Sequence, residues 1–89
     1  MNNKKYKLYI LQCSDGSYYT GISTDVNRRI REHKKGNRGS KYLRGRGPLK
    51  LVFIKEAGNR SEASRFEYLI KRLSHQEKKS LVDDGVLNL

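Results

Sequence analysis

A tight turn between two strand-like stretches is the feature of this sequence that most restricts its fold. Residues 6–13 are rich in aromatic and branched side chains and carry apolar residues on both faces of a strand. Residues 14–17 read Ser-Asp-Gly-Ser, which is a turn signal, and residues 18–22 return as a second strand. The pattern therefore predicts a β-hairpin.

The length of the turn decides which side chains share a face of the hairpin. A three-residue loop that ends in a left-handed Gly16 pairs Leu11 with Tyr19. Gly21 then lies opposite Tyr9 and leaves space beside its ring, and the two phenols share one face. A two-residue loop would place the phenols on opposite faces, because side chains alternate along a strand. We predict the three-residue loop.

A first helix is predicted to follow the hairpin directly. Thr24 is the expected N-cap, with Asp25 in the first turn, and Gly36 is the expected stop. Val26 and Ile30 are four residues apart and form a short apolar stripe. We expect this stripe to pack against the sheet.

Beyond this helix the pattern predicts a mobile basic loop, a strand and two more helices. The loop contains a short helical turn at residues 40–43, and residues 49–55 form the third strand. The next helix starts at residue 59 or 61 and ends near 73. A capping box at residues 74–77 begins the last helix, which Gly85 ends. The order β-β-α-β-α-α predicts an α+β fold in which helices cover a three-stranded antiparallel sheet.

The length of the chain limits the number of domains, and its charge limits the kind of binding partner. We expect one domain over residues 1–89, with a core at about residues 6–82. Twenty Lys and Arg against nine Asp and Glu give a net charge of +11, a balance typical of proteins that meet phosphate or an anionic membrane surface. No apolar run approaches the roughly 20 residues of a spanning helix, so the expected partner is nucleic acid and not a membrane. We expect a cytoplasmic monomer.

Cysteine and histidine usage excludes two kinds of site. The single cysteine, Cys13, excludes an internal disulfide, fits a reducing cytosol and is predicted to be a small buried side chain. One cysteine and two distant histidines, His33 and His75, cannot build a structural zinc site. Any metal is therefore expected to be a hard cation on oxygen ligands, and His75 is interpreted as a surface residue at a helix start.

The segment from Arg28 to Lys50 carries ten cations and one acid, Glu32. Solvated faces usually mix charges of both signs, so this segment predicts contact with a nucleic-acid backbone, with an aromatic ring available to stack on a base. The residues expected to bind nucleic acid are Arg28, Arg31, Lys34, Lys35, Arg38, Lys41, Tyr42, Arg44 and Arg46.

Residues suited to phosphodiester chemistry occur at intervals that the predicted elements could bring together: Tyr9, Tyr19, Arg29, His33 and Glu67. Arg29 and His33 are four apart on one helix face, and a guanidinium supplies a fork of donors where phosphate charge accumulates. A phenol is only about one part in a thousand ionised at pH 7, and lowering its pKa to 7 requires roughly 4 kcal/mol. From spacing alone, an i,i+4 ion pair with Lys71 explains Glu67 better than catalysis does.

Two triplets, residues 7–9 (Lys-Leu-Tyr) and 19–21 (Tyr-Thr-Gly), stand about ten residues apart. Arg29 and His33 follow the second triplet by eight and twelve residues, and Glu67 falls on the later helix. Over nearly the whole chain this pattern resembles the GIY-YIG nuclease superfamily, in particular its small stand-alone bacterial branch. The first triplet departs from Gly-Ile-Tyr but keeps its tyrosine.

The resemblance implies a metal-dependent endonuclease, and we expect DNA as its substrate. In the family, the tyrosine matching Tyr9 helps to deprotonate the attacking water, and the tyrosine matching Tyr19 supports it. The arginine matching Arg29 steadies the phosphate, the residue matching His33 hydrogen-bonds or relays protons, and the glutamate matching Glu67 holds one Mg²⁺ or Mn²⁺.

Two alternatives stay open beside the nuclease. One is a non-catalytic nucleic-acid-binding module that keeps the fold, and the other is an adaptor whose activity or target choice needs a protein partner. Composition does not separate them. The five matching residues favour the nuclease, since a pure binder gains nothing from Glu67, a negative charge beside phosphate.

Overall fold

The structure, a computed structural model, describes residues 5–35, 43 and 45–85. Within these residues the chain forms three strands and three helices in the predicted order β-β-α-β-α-α. The elements are β1 (Tyr6–Gln12), β2 (Tyr18–Ser23), α1 (Val26–Lys35), β3 (Lys50–Gly58), α2 (Arg60–Lys71) and α3 (His75–Asp84). The predicted α+β class and antiparallel sheet are confirmed. None of the described helices is long and apolar enough to cross a membrane.

Several predictions for the basic loop lie outside the described residues. They include the helix stop at Gly36 and most of the helical turn at residues 40–43, of which the structure describes only Leu43. The expected nucleic-acid-binding residues outside the described part of the chain are Arg38, Lys41, Tyr42 and Arg44.

The first strand is the middle strand of the sheet, which has the order β2-β1-β3. Its apolar residues alternate between two cores, because successive side chains point to opposite faces. Leu8 and Ile10 pack on the face covered by α2 and α3, whereas Tyr9 and Leu11 pack on the face toward α1. All four are at most 1% exposed, which explains why β1 carries apolar residues at every position of this stretch.

The hairpin has the predicted three-residue loop and register. Gly16 has φ 85°, in the left-handed region, and its N–H donates to the Cys13 carbonyl over 3.0 Å. The Cys13 N–H in turn donates to the Ser17 carbonyl over 2.8 Å and closes the loop. Leu11 consequently pairs with Tyr19, and the register of the neighbouring residues follows. Cys13 is buried, as predicted.

The first helix begins one residue later than predicted, and Asp25 caps it instead of Thr24. Val26 is the first helical residue, so the N–H of Arg28 lies in the first turn and has no carbonyl partner within the helix. Arg28 is three residues after Asp25, which is the distance that an N-cap side chain spans. The Asp25 carboxylate accepts that N–H over 3.1 Å, while the Ser23 hydroxyl accepts the Asp25 N–H over 3.0 Å. Asp25 therefore fixes where α1 leaves the sheet.

The two later helices begin at side-chain caps. Asn59 exchanges hydrogen bonds with Glu62 at the start of α2, and Ser74 does the same with Glu77 at the start of α3. Gly85 ends α3 with φ 68°. The capping box at residues 74–77 and the stop at Gly85 are confirmed. The third strand is longer than predicted and runs to Gly58, because its pairing with β1 continues to Tyr6.

Candidate active site

The hairpin places the two candidate tyrosines side by side. Tyr9 pairs with Gly21, and the ring centroids of Tyr9 and Tyr19 are 6.4 Å apart. A Cβ on residue 21 would lie 2.5 Å from Tyr9 Oη and 2.6 Å from Cζ, a separation that non-bonded atoms do not tolerate. The Tyr9 ring therefore occupies the space that the missing side chain of Gly21 leaves.

The first helix brings His33 onto these rings. Its Nε2 lies 3.0 Å from Tyr9 Oη in a buried hydrogen bond, and its ring meets that of Tyr19 edge-on with centroids 5.2 Å apart. His33 is only 5% exposed although it is polar. The structure thus brings together three of the predicted site residues, from β1, β2 and α1, in one aromatic cluster.

Burial determines the protonation states of Tyr9 and His33, the two partners of the buried hydrogen bond. It raises the pKa of Tyr9 to about 12, and the neighbouring Tyr19 phenol adds to the rise. Burial also lowers the pKa of His33, and the charge of Arg29 lowers it further. At neutral pH we therefore assign a protonated Tyr9 hydroxyl that donates to the Nε2 of a neutral His33.

The raised pKa of Tyr9 predicts a loss of stability in alkali. Because the folded-state pKa lies above the ordinary value near 10, the unfolded chain loses the proton first. This contribution is complete below pH 10, and about 2 kcal/mol of unfolding free energy is lost as pH rises to 12. Denaturant titrations should show this loss in the wild type and in Tyr68→Phe, whose ring is exposed, but not in Tyr9→Phe. An equal loss in Tyr9→Phe would contradict the assignment.

Arg29 lies beside the same hydroxyl. Burial dominates the pKa of Tyr9, but the Arg29 charge and a hydrogen bond between the two side chains both lower it. Arg29 Nη1 also donates to Glu32 Oε1 over 3.1 Å, and the arginine side chain is one-third exposed. A guanidinium that is held by Glu32 and is one-third exposed to solvent can receive an anion. Sequence reasoning gave Glu32 no role, although its i,i+3 spacing from Arg29 is a signal for this pair.

Glu67 comes from α2, which packs on the opposite face of the sheet from α1. Its Oε2 lies 3.4 Å from Lys71 Nζ, so the i,i+4 ion pair anticipated from spacing is present. The carboxylate is also within electrostatic reach of the aromatic cluster: after burial, its charge is among the causes that raise the pKa of Tyr9. Glu67 can therefore pair with Lys71 and still act on the aromatic cluster by its charge.

The donor set around Glu67 fits a hard, partly hydrated cation. Among residues 5–35, 43 and 45–85, no three His, Cys, Asp or Glu side chains converge in a way that could enclose a metal. Mg²⁺ commonly keeps several waters and takes one or two carboxylates plus phosphate oxygens. The Glu67 side chain is one-quarter exposed, which leaves an oxygen ligand of that kind available.

The described members of the predicted nucleic-acid-binding set divide into two groups. Exposed side chains on α1 form one group, and they are Arg28, Arg31, Lys34 and Lys35. Arg46 instead pairs with the Asp15 carboxylate in the hairpin turn, and its carbonyl accepts the Ser14 N–H over 2.9 Å. Arg46 therefore joins the segment before β3 to the hairpin. His75 is exposed at the start of α3, as predicted, and stacks on Tyr18 with centroids 5.0 Å apart.

Comparisons with known proteins show which family and which solved structures this chain resembles. A family model described as the GIY-YIG catalytic domain matches residues 5–80. A UPF0213 protein of Photorhabdus laumondii is 49% identical over 82 residues, which cover 92% of this chain and 78% of that protein. A UPF0213 protein of Halalkalibacterium halodurans is 52% identical over 75 residues, covering 84% of this chain and 79% of the relative.

Two solution NMR structures are similar in fold. One is the structure of a UPF0213 protein from Bacillus halodurans, with a TM-score of 0.57 and 49% sequence identity. The match covers 89% of this chain and 83% of that protein's chain. The other is the structure of a protein from E. faecalis, with a TM-score of 0.65 and 33% sequence identity. The match covers 99% of this chain and 93% of that protein's chain.

Proposed function

Because this chain belongs to the family of the GIY-YIG catalytic domain, we propose that it is a metal-dependent endonuclease that hydrolyses phosphodiester bonds, with DNA as its substrate. The observation that carries the proposal is the buried hydrogen bond between Tyr9 and His33, with Arg29 beside it. A phenol, a neutral imidazole and a guanidinium together can move a proton and receive phosphate charge.

Tyr9 and His33 handle the proton of the attacking water. Water oxygen bonds to phosphorus while one of its protons passes to Tyr9 Oη, and the Tyr9 proton passes to His33 Nε2 along their hydrogen bond. The bond from phosphorus to the 3′ oxygen breaks, and that oxygen takes up a proton from solvent, leaving 5′-phosphate and 3′-hydroxyl ends. The protonated His33 returns its proton to solvent. A free Tyr9 phenolate at pH 7 would need about 7 kcal/mol of preferential stabilisation, whereas a relay through His33 avoids forming one.

Arg29 receives the negative charge that accumulates on the phosphate. Its guanidinium is held by Glu32 and lies within hydrogen-bonding reach of Tyr9, so the phosphate and the attacking water would meet at the same place. Tyr19 packs against His33 and keeps the imidazole ring oriented. These residues supply positioning and charge stabilisation, which account for most of phosphoryl-transfer catalysis.

Glu67 would hold one divalent cation, Mg²⁺ or Mn²⁺. The ion would supply positive charge against the charge that develops on the phosphate oxygens. Lys71 pairs with Glu67 in the free protein at a solvent-exposed contact of 3.4 Å, an ion pair weak enough for a divalent cation to displace.

Cleavage assays test the proposal directly. Single-stranded, duplex, flapped and branched DNA, with RNA beside them, should be incubated with Mg²⁺ or Mn²⁺ and with EDTA. We expect metal-dependent cleavage by the wild type and a loss of about 100-fold or more in Arg29→Ala, because a donor aimed at developing charge is removed. Arg65→Ala, which removes an exposed arginine from α2, is the matched control and should cleave normally.

The assay also separates the nuclease from the alternatives. Salt-dependent binding without cleavage of any substrate would identify a nucleic-acid-binding module. Cleavage that appears only with an added cell fraction would identify a subunit that needs a protein partner. Activity that survives equally in Arg29→Ala would show that another protein in the preparation is responsible.

A further inference from the structure

A pocket lies at the outer edge of β2, on the side of the sheet away from β3. Its volume is about 330 Å³, and it is lined by Tyr18, Tyr19 and Thr20 from the strand and by Lys71 and Lys78 from α2 and α3. Consecutive residues of a strand point to opposite faces, so a pocket that three of them share must open at the edge.

Two side chains that line the pocket also contact residues of the candidate active site. Tyr19 lines the pocket and also packs against the rings of Tyr9 and His33. Lys71 lines the pocket and pairs with Glu67. Tyr19 and Lys71 therefore connect the pocket to the residues of the candidate active site.

The polar groups of the pocket are arranged for an anion. Two lysines line it, and one of them, Lys71, pairs with Glu67. The Lys71 ammonium has three donors, so it can contact Glu67 and an anion in the pocket at the same time.

Thr20 adds a second, independent observation. It is only 3% exposed, and its Oγ1 has no hydrogen-bond partner in the part of the chain that the structure describes. Buried hydroxyls normally find a partner, and one left without it is destabilising. A threonine hydroxyl at the wall of a lysine-lined pocket is a donor that an anionic oxygen can satisfy after a rotation about χ1.

We propose that this pocket binds a backbone phosphate of the nucleic-acid strand, next to the phosphate that is cleaved. The position of that phosphate in the strand rests on the proposed nuclease function, but the binding itself does not. Lys71 and Lys78 neutralise the phosphate and Thr20 donates to it. The pocket volume of about 330 Å³ has room for one phosphate with its sugar.

Salt-dependent binding in EDTA tests this site without any turnover. The dissociation constant of a single-stranded oligonucleotide is measured against salt for the wild type and for Lys71→Gln/Lys78→Gln. The slope of log K against log salt should fall in magnitude by roughly 0.7, the value for one phosphate on a single strand. Lys55→Gln/Arg65→Gln removes the same two charges outside the pocket and should leave the slope within error of wild type.

Thr20→Val supplies the second arm, because it keeps the shape and removes the hydroxyl. We expect affinity to fall several-fold with an unchanged salt slope, and the free protein to be as stable as wild type or more stable. If the double lysine variant keeps the wild-type slope, the pocket does not bind phosphate, whatever the cleavage assay shows. If the slope falls while the wild type cleaves nothing, the phosphate site stands and the nuclease proposal fails.

Discussion

Replacing Gly21 with alanine is expected to lower the cleavage rate by about 100-fold or more and the free energy of unfolding by about 1–3 kcal/mol. The new Cβ would lie 2.5 Å from Tyr9 Oη and 2.6 Å from Cζ, so the ring must move. Tyr9 is 1% exposed, and its hydroxyl bonds to His33, so no movement leaves both the packing and the hydrogen bond intact. Stability and activity should therefore fall together.

Gly47→Ala is the control for this substitution. A Cβ at Gly47 would meet no heavy atom within 4 Å, and its φ lies outside the left-handed region. Its unfolding free energy, from urea titration, and its cleavage rate should stay close to wild type. A Gly21→Ala protein with normal rate and stability would show that the Tyr9 ring does not occupy the position on which the site depends.

Glu67→Ala is expected to lower turnover by roughly 10³-fold and leave nucleic-acid affinity unchanged or higher. The loss follows from removing the carboxylate proposed to hold the cation, whose charge is worth several kcal/mol in the transition state. Affinity should not fall, because a negative charge beside phosphate disappears. Stability should change little, since the exposed i,i+4 pair with Lys71 contributes about 0.3–0.5 kcal/mol.

Single-turnover cleavage and metal-free binding, measured on the same oligonucleotide, check both halves of this expectation. Glu56→Ala removes an exposed acid from β3 and is the matched control, which should cleave like wild type. Retained cleavage in Glu67→Ala would remove Glu67 from the proposed metal site. A parallel loss of binding would indicate that Glu67 supports the fold of the binding surface instead.

The hairpin was predictable because its determinants are local. A three-residue loop ending in Gly16 sets the register, and the register alone puts Gly21 opposite Tyr9. The four-residue spacing of Arg29 and His33 likewise places both on one side of α1. Each of these inferences needs only neighbouring residues and the period of a strand or a helix.

Other features depend on packing, which local patterns do not encode. From the sequence we consider a tyrosine whose pKa is lowered. In the structure burial raises the pKa of Tyr9 to about 12, so His33 is the group that can accept the proton. The sequence predicts Thr24 as the N-cap, but Asp25 caps the helix in the structure. Both residue types are good caps, and the path of the chain as it leaves the sheet decides which of them is used. The strand pattern likewise does not show that the Thr20 hydroxyl is buried without a hydrogen-bond partner among the described residues.

The most direct test of the account is the single-turnover rate of Tyr9→Phe against wild type in Mg²⁺. This substitution keeps the ring beside Gly21 and removes only the hydroxyl that links the attacking water to His33. Backbone amide spectra and nucleic-acid affinity, measured on the same samples, establish that the variant is folded and binds. We expect wild-type binding with cleavage reduced at least about 100-fold. Cleavage at the wild-type rate by a folded Tyr9→Phe protein would contradict it.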